Sequence, residues 1–336
     1  MKIFSRLILA SLLLLPTSYT RQGVAAKNDG KTASVEHEVP SSLYPVLRVA
    51  DGDTITVMMS GKKEKIRLLN VDTEEAGKPG ASTKPSKPNT IFGAECKAWA
   101  IDYFSGPRSQ VGLWYPDKPS RGTFGRLLAH VVLPDGTDFN LLLVRTGKSP
   151  YFNKYGNSLK FDAAFRKAQE LAQKEQLGIW DPATNSGGAK RPYKELLPWW
   201  EARATAVELF RSRTASDPET YFDASSQADL ERAAAMSADG TIVTIFGLPQ
   251  SIFIEDNGSR TILFRNESRN GALRVKIPAA GYDEHRAAGL LNIVEEYHQN
   301  YVWVAGLVKS SPQGFSLHAT SKAQWWTEPQ YPVSEP

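Results

Sequence analysis

Two short acidic segments in the first half of the chain carry the residue types best suited to chemistry. The first is DGDT at 51–54, and the second is DTEE at 72–75, which follows Arg67. Carboxylate oxygens are the ligands that hard divalent cations prefer, and a guanidinium group binds phosphate through two parallel hydrogen bonds. Together, these side chains could hold a hard cation beside a phosphate group.

The residues around these segments predict the strands that would bring them together. Stretches rich in apolar and β-branched residues lie at 45–49, 54–57 and 65–71, and glycine-containing turns separate them. Because antiparallel strands joined by a short turn lie side by side, we expect this hairpin arrangement to place Asp53 near Asp72.

Six sequence blocks resemble those of staphylococcal-nuclease-like (thermonuclease) domains and follow the order of that family. They are VADGDTITV, IRLLNVDTEE, FGAECKAWA, RGTFGRLLAHVVLPDG, LLLVRTG and AQELAQKEQLGIWD. The resemblance covers about residues 44–181, within a domain that we expect to span 43–181. It implies an α+β fold, mainly β, in which a five-stranded Greek-key barrel of the OB type carries three helices.

The resemblance implies roles for the acidic residues. The carboxylates of Asp53 and Asp72 and the backbone carbonyl of Thr73 would bind one divalent cation, and this all-oxygen set suits Ca²⁺. Glu75 stands where the family has its general base for the attacking water. Glu74 replaces a proline common in the family and is an alternative base, although in an extended backbone it would face away from Glu75.

Phosphate binding is implied for Arg67 and Arg126, which stand where the family has its two phosphate-binding guanidinium groups. Thr123 and Phe124 replace a lysine and a tyrosine found before the second arginine in well-known members. Two groups that assist phosphate binding are therefore absent, which predicts weaker substrate binding. Phe124 could still stack on a nucleic-acid base.

Two further aromatic residues are candidates for substrate binding. Tyr151 and Tyr155 lie in the segment that supplies stacking tyrosines in the family. Aromatic rings bind the faces of unpaired bases with little dependence on sequence. Ordinary packing in the protein core is the alternative for both rings.

The N-terminal residues predict export. Residues 1–26 combine a basic start, an apolar run at 7–15 and small residues before Ala26, which is typical of a secretory signal peptide, and 27–42 reads as a flexible leader. We expect an extracellular or cell-envelope location without stable membrane insertion, because the run is shorter than the roughly 20 residues of a spanning helix. A retained N-terminal anchor is the alternative.

Composition excludes several classes of protein. The 336-residue chain has a formal net charge of +4, which falls to +1 without residues 1–26, so attraction to phosphates has to come from local groups. Cys96 is the sole cysteine, which excludes an intrachain disulfide and a thiolate metal site. The sequence shows no Gly-rich phosphate loop, no nucleophilic serine motif and no histidines at metal-ligand spacing.

The second half of the chain predicts a further domain. We expect a linker at 182–192, a helical segment at 193–239, a second OB-like barrel at 240–326 and a tail at 327–336. The second barrel could be a platform for single-stranded nucleic acid, built from Arg260, Arg265, Arg269, Arg274 and Lys276 with Phe253, Phe264 and Trp303. A rigid accessory barrel with solvated arginines is the favoured alternative.

The sequence as a whole predicts an exported, monomeric, Ca²⁺-dependent phosphodiesterase that acts on DNA and/or RNA with low sequence specificity. If it behaves as the family does, it leaves 3′-phosphate ends. The alternative is a binding scaffold of two OB barrels whose acidic site is silent because of Glu74, Thr123 and Phe124.

Overall fold

The computed structural model describes residues 40–77, 86–122, 124–266, 271–287 and 299–329. The predicted signal peptide, residues 27–39 of the predicted leader and residues 330–336 of the predicted tail lie outside these ranges. Thr123 and Arg269 also lie outside them. In the part of the chain that is described, no helix is both long and apolar enough to cross a membrane.

The first half of the described chain forms a closed barrel with three helices. Its strands are β1 (Tyr44–Asp51), β2 (Thr54–Met59), β3 (Lys62–Leu68), β4 (Gln110–Trp114), β5 (Ser120–Arg121) and β6 (Leu127–Val132), and its helices are α1 (Ile91–Tyr103), α2 (Phe139–Arg145) and α3 (Asp162–Lys174). The sheet order is β3-β2-β1-β4-β6-β5, and parallel pairing of β3 with β6 closes a ring of five strands. The predicted OB-type barrel with three helices is confirmed.

A single apolar core fills this barrel and binds the helices to it. Ile55, Ile66 and Val111 from the strands are completely buried, together with Phe139 of α2 and Phe165 of α3. Burial of such side chains is the main favourable contribution to folding, at about 1.5–3 kcal/mol for each large apolar group. The barrel is thus a rigid support for residues at its surface.

The described residues of the second half form three α-helices and two small sheets. Its elements are α4 (Tyr193–Ser216), β7 (Tyr221–Asp223), α5 (Gln227–Ala238), β8 (Val243–Gly247), β9 (Pro249–Ile254), β10 (Arg260–Phe264), β11 (Leu273–Ile277), α6 (Tyr282–Ala287), β12 (Val302–Gly306), β13 (Val308–Ser311), β14 (Gly314–His318) and β15 (Trp325–Trp326). The sheet orders are β13-β14-β11-β10-β9 and β15-β12-β8-β7.

The strand neighbours of the second half repeat those of the first barrel. β8 continues into β9 and β12 continues into β13 after single residues, so each pair acts as one bent strand shared by both sheets. β11 pairs in parallel with β14, as β3 pairs with β6, and every other pairing within the five-stranded sheet is antiparallel. This is the order expected of an OB-like barrel, and its core includes Phe264, Val275 and Val304.

Helix α4 packs against both halves. Near its N-terminus Trp199 and Trp200 form a buried cluster with Phe152 of the first half, and further along Val207 packs in a cluster with Trp303 of β12. All described residues belong to one unit, Ser34–Pro336. The segment 193–239, predicted to be helical, also contributes the short strand β7.

Candidate active site

The turn between β1 and β2 places Asp53 against the segment that follows β3. A Cβ atom on Gly52 would lie 2.7 Å from Thr73 Cγ2, so this close approach needs a glycine. The backbone N–H of Thr73 donates to Asp53 Oδ2 at 2.9 Å, and the Thr54 hydroxyl donates to Asp53 Oδ1 at 3.0 Å. The predicted proximity of the two acidic segments is therefore present, with Asp53 almost fully buried.

Arg67 lies between the two aspartates. Its Nη2 atom is 2.7 Å from Asp72 Oδ1 and 3.3 Å from Asp53 Oδ2. Its Nη1 atom donates to the backbone carbonyls of Leu68 and Val71, each at 2.8 Å. The guanidinium group is thus held by carbonyls on one side and bridges both carboxylates on the other.

Asp72 is the most heavily paired acid of the site. It is 1 % exposed, and its Oδ1 atom contacts Lys87 Nζ at 2.8 Å in addition to Arg67. Its Oδ2 atom accepts a hydrogen bond from Arg191, and its backbone N–H donates to Ser149 Oγ at 2.8 Å. Although burial opposes ionisation, the neighbouring positive charges of Lys87, Arg191 and Arg67 hold the pKa of Asp72 well below its usual range.

Glu75 is the more accessible acid, and Lys87 connects it to Asp72. Its side chain is 38 % exposed, and Oε1 lies 2.9 Å from Lys87 Nζ. Its backbone carbonyl accepts a hydrogen bond from the Thr90 N–H at 3.1 Å, and a Cβ atom on Gly93 would lie only 2.2 Å from that carbonyl oxygen. The first turn of α1 thus sets the position of Glu75.

Glu74 points into the protein and is fully satisfied there. It is 3 % exposed, and its carboxylate accepts hydrogen bonds from the Thr90 hydroxyl at 2.5 Å, from Asn185 Nδ2 at 2.7 Å and from the Tyr193 hydroxyl at 3.2 Å. Thr90 is also the N-cap of α1 and accepts from the Gly93 N–H. Glu74 is therefore buried among hydrogen-bond donors of the protein, whereas Glu75 faces the ammonium group of Lys87.

Arg126 lies on the other side of Asp53. Its Nη1 atom contacts Thr54 Oγ1 at 3.3 Å, and Thr54 in turn donates to Asp53. The guanidinium carbon is 5.6 Å from the ring centroid of Phe124, which is 83 % exposed. Arg126 and Phe124 thus offer a cation and an exposed ring at the edge of the site.

The two candidate tyrosines differ in accessibility. Tyr151 is 3 % exposed and stacks on Phe165, while its hydroxyl donates to Asp162 at 2.9 Å and accepts from the Ser158 N–H at 2.8 Å. Tyr155 is 52 % exposed. The packing alternative therefore describes Tyr151, whereas the side chains of Tyr155 and Phe124 are exposed. The guanidinium groups of Arg203 and Arg265 lie over the Tyr155 ring.

A fifth acid, Asp51, also contributes to the charge distribution of the site. Burial, together with repulsion from Asp53, raises the pKa of Asp51 to about 7. The Asp53 N–H donates to Asp51 Oδ1 at 3.3 Å. Arg67, Lys87 and Arg191 contact the carboxylates of Asp53, Asp72 and Glu75 directly. The site therefore holds positive and negative side chains at close range.

The donor set fits a calcium ion only in part. No three Asp, Glu, His or Cys side chains in the described residues are grouped so as to hold a metal ion. A cation would therefore depend on Asp53, Asp72 and the Thr73 carbonyl, with water or a substrate phosphate completing the six to eight oxygen ligands that Ca²⁺ takes. These hard oxygens suit calcium, provided that Lys87 and Arg67, which both contact Asp72 Oδ1, move away from that atom.

The site also includes Lys87, Asn185 and Arg191, for which the sequence carries no local motif. Lys87 lies between the acidic motif and α1, and no local pattern of residues distinguishes it from its neighbours. Asn185 and Arg191 lie in the segment predicted to be a linker, and both are buried. Local patterns contain no signal for them because their partners are far away along the chain.

Comparison with known proteins identifies the domain that carries this site. Residues 65–182 match the family model described as Staphylococcal nuclease homologue. The chain is 33 % identical over 153 residues to the thermonuclease of Staphylococcus intermedius, covering 46 % of this chain and 84 % of that protein. It is 29 % identical over 174 residues to the thermonuclease of Staphylococcus hyicus, covering 52 % of this chain and 94 % of that protein.

A third relative has a different name. The chain is 31 % identical over 143 residues to endonuclease YncB of Bacillus subtilis strain 168, covering 42 % of this chain and 64 % of that protein. The matched family region contains Arg67, Asp72, Glu75 and Arg126, which join the described site through contacts with Asp53, Thr54 and Lys87. From these matches and the closed five-stranded barrel, we conclude that the chain belongs to the family of staphylococcal nuclease homologues.

Proposed function

We propose that this protein is a nuclease that hydrolyses phosphodiester bonds in DNA and/or RNA. The proposal depends chiefly on one observation: Asp53, Arg67, Asp72 and Glu75 form one contact network on the barrel of a nuclease family. The names of the relatives, thermonuclease and endonuclease, support the same activity. The alternative remains a scaffold whose site is silent.

We further propose that the cofactor is Ca²⁺, held by Asp53, Asp72 and the Thr73 carbonyl. A bound cation would supply positive charge to the oxygens of the scissile phosphate and would favour an attacking hydroxide. The side chains of the protein supply the remaining functions. Arg67 and Arg126 are suited to hold the phosphate and to stabilise the additional negative charge of the transition state.

Glu75 is the proposed general base. Its exposed carboxylate would accept a proton from water as the water oxygen forms a bond to phosphorus. The bond between phosphorus and the 5′ oxygen then breaks, and that oxygen takes up a proton from solvent. The products are a 3′-phosphate end and a free 5′-hydroxyl.

Phe124 and Tyr155 would stack on bases without reading their edges, which accounts for low sequence specificity. Export is proposed from the N-terminal sequence. We propose that the exported protein acts as a monomer without stable membrane insertion.

The decisive experiment is digestion of single-stranded DNA, double-stranded DNA and RNA with calcium or with a chelator. We expect cleavage with calcium, loss of cleavage with chelator, and a decrease of about 10²- to 10⁴-fold in Glu75→Gln. Glu64→Gln is the matched control, because Glu64 is a β3 glutamate paired with Arg121 on the exposed surface. Mass spectrometry of the products tests for 3′-phosphate ends. Binding without cleavage in every condition would favour the scaffold.

A further inference from the structure

Arg191 lies outside the region matched by the nuclease family, yet it contacts the acidic site directly. The family match ends at residue 182. Arg191 is 6 % exposed and donates to Asp72 twice, to the carboxylate Oδ2 and, at 2.9 Å, to the backbone carbonyl. Its Nε atom donates to the Ser86 carbonyl at 2.9 Å. One guanidinium group thus contacts both the Asp72 segment and the residue next to Lys87.

The surroundings of Arg191 restrict its position. The guanidinium carbon lies 5.3 Å from the ring of Trp200 and 5.6 Å from the ring of Tyr193. Both residues belong to α4, which begins two residues after Arg191 and packs against the second half of the chain. Asn185 makes a second connection from the same segment, through Glu74 and the Phe92 N–H. The predicted linker is therefore attached to the site at two points.

We propose that Arg191 is a positioning residue that orients the Asp72 carboxylate for cation binding, so that residues beyond the nuclease domain complete its active site. This proposal rests on the proposed function. Arg191 donates hydrogen bonds to both Oδ2 and the backbone carbonyl of Asp72. It therefore restricts the rotation of the carboxylate and the conformation of the backbone at Asp72. Oδ1 then faces Arg67, which also contacts Asp53.

The charge of Arg191 and its geometry have opposite effects on a bound cation. A positive group beside a cation site weakens binding by repulsion, whereas a partner that orients a ligand strengthens it. Arg191→Lys keeps the charge and loses the planar fork, so it isolates the contribution of geometry. Arg191→Gln removes the charge, which by itself would tighten cation binding.

The test is calcium titration of the full chain by calorimetry, for the wild type, Arg191→Lys, Arg191→Gln and the control Arg145→Lys. Arg145 makes a comparable double contact with Glu175, at 2.9 and 2.8 Å, away from the site. We expect a calcium Kd at least about tenfold weaker in Arg191→Lys and weaker also in Arg191→Gln, with the control unchanged. In cleavage assays, the calcium midpoint of Arg191→Lys should rise by the same factor, and excess calcium should restore its rate without a change in the KM for DNA.

The outcomes distinguish this proposal from the proposed nuclease activity. Calcium binding that weakens in Arg191→Lys supports the positioning role even if no variant cleaves nucleic acid. Cleavage by the wild type with an unchanged calcium Kd in both Arg191 variants would overturn the positioning role and leave the nuclease proposal intact. The positioning role would also be overturned if both Arg191 variants failed to fold while Arg145→Lys folded. Absence of calcium binding in the wild type would overturn it as well.

Discussion

The ammonium group of Lys87 lies 2.8 Å from Asp72 Oδ1 and occupies an oxygen that a bound cation would need. The same ammonium contacts Glu75 Oε1 at 2.9 Å. Lys87 therefore engages both a proposed metal ligand and the proposed base. Because ammonium and calcium compete for the same carboxylate charge, this relationship predicts that Lys87 controls how readily the site takes up a cation.

Replacing Lys87 by methionine should strengthen calcium binding. The change removes a positive charge in contact with Asp72. For a partly buried pair we expect an electrostatic effect of about 1 kcal/mol. This energy corresponds to a calcium Kd that is roughly fivefold lower. Calorimetric titration measures the effect. Lys63→Met is the control, because Lys63 is exposed on β3. Weaker binding in Lys87→Met would contradict competition and would indicate that Lys87 helps to hold the carboxylates in place.

Glu74→Gln should decrease stability more than activity. The carboxylate of Glu74 accepts three hydrogen bonds. In Glu74→Gln the side-chain NH₂ group would face at least one of these three donors, and that hydrogen bond would be lost. A buried unsatisfied donor is unfavourable by about 1–3 kcal/mol, measured as the free energy of unfolding in urea. Glu95→Gln on the exposed surface of α1 is the control. A large loss of cleavage with unchanged stability would instead identify Glu74 as the base.

Tyr155→Leu should weaken binding of single-stranded DNA. The exposed ring of Tyr155 is proposed to stack on a base, and such a contact contributes about 1–3 kcal/mol. Fluorescence anisotropy with a labelled oligonucleotide measures the Kd. In Tyr151→Phe the buried hydroxyl contacts are lost, so the free energy of unfolding should fall while the Kd stays constant. An unchanged Kd in Tyr155→Leu would exclude stacking on this ring.

Gly93→Ala should lower the catalytic rate through Glu75. The added methyl group would meet the Glu75 carbonyl oxygen at 2.2 Å, so either α1 or the Glu75 backbone has to move. Overpacking of this kind typically destabilises a protein by about 1–3 kcal/mol. Steady-state kinetics should show a lower kcat with little change in KM. Ala94→Ser on the exposed face of α1 is the comparison, and a kcat equal to that of the wild type would show that Glu75 tolerates the displacement.

Much of the fold follows from local patterns in the sequence. The stretch around Ile55 and Ile66 has strand-like residues and turn glycines, and these form β2 and β3 with the expected pairing. The order of strands and helices then indicates an OB-type barrel. Asp53, Arg67 and Asp72 could be selected because they lie on short motifs beside these strands, and the structure brings all three into contact.

The same local reasoning could not separate residues whose roles depend on packing. Tyr151 and Tyr155 are neighbours of the same type, yet one ring is buried against Phe165 and the other is exposed. Glu74 and Glu75 are adjacent acids, and the donors that satisfy Glu74 come from Thr90 and from beyond residue 182. Burial and hydrogen bonding of this kind depend on the complete arrangement of helices around the barrel.

The sequence by itself determined the first barrel strands and the acidic motifs, because these depend on residues that are near one another along the chain. Only the tertiary structure decided that Arg191 reaches Asp72, a contact that spans 119 positions of the chain. A linker-like composition carries no information about such a partner. Desolvation of the Asp72 carboxylate requires compensating charge, and the tertiary structure supplies it from Arg67, Lys87 and Arg191.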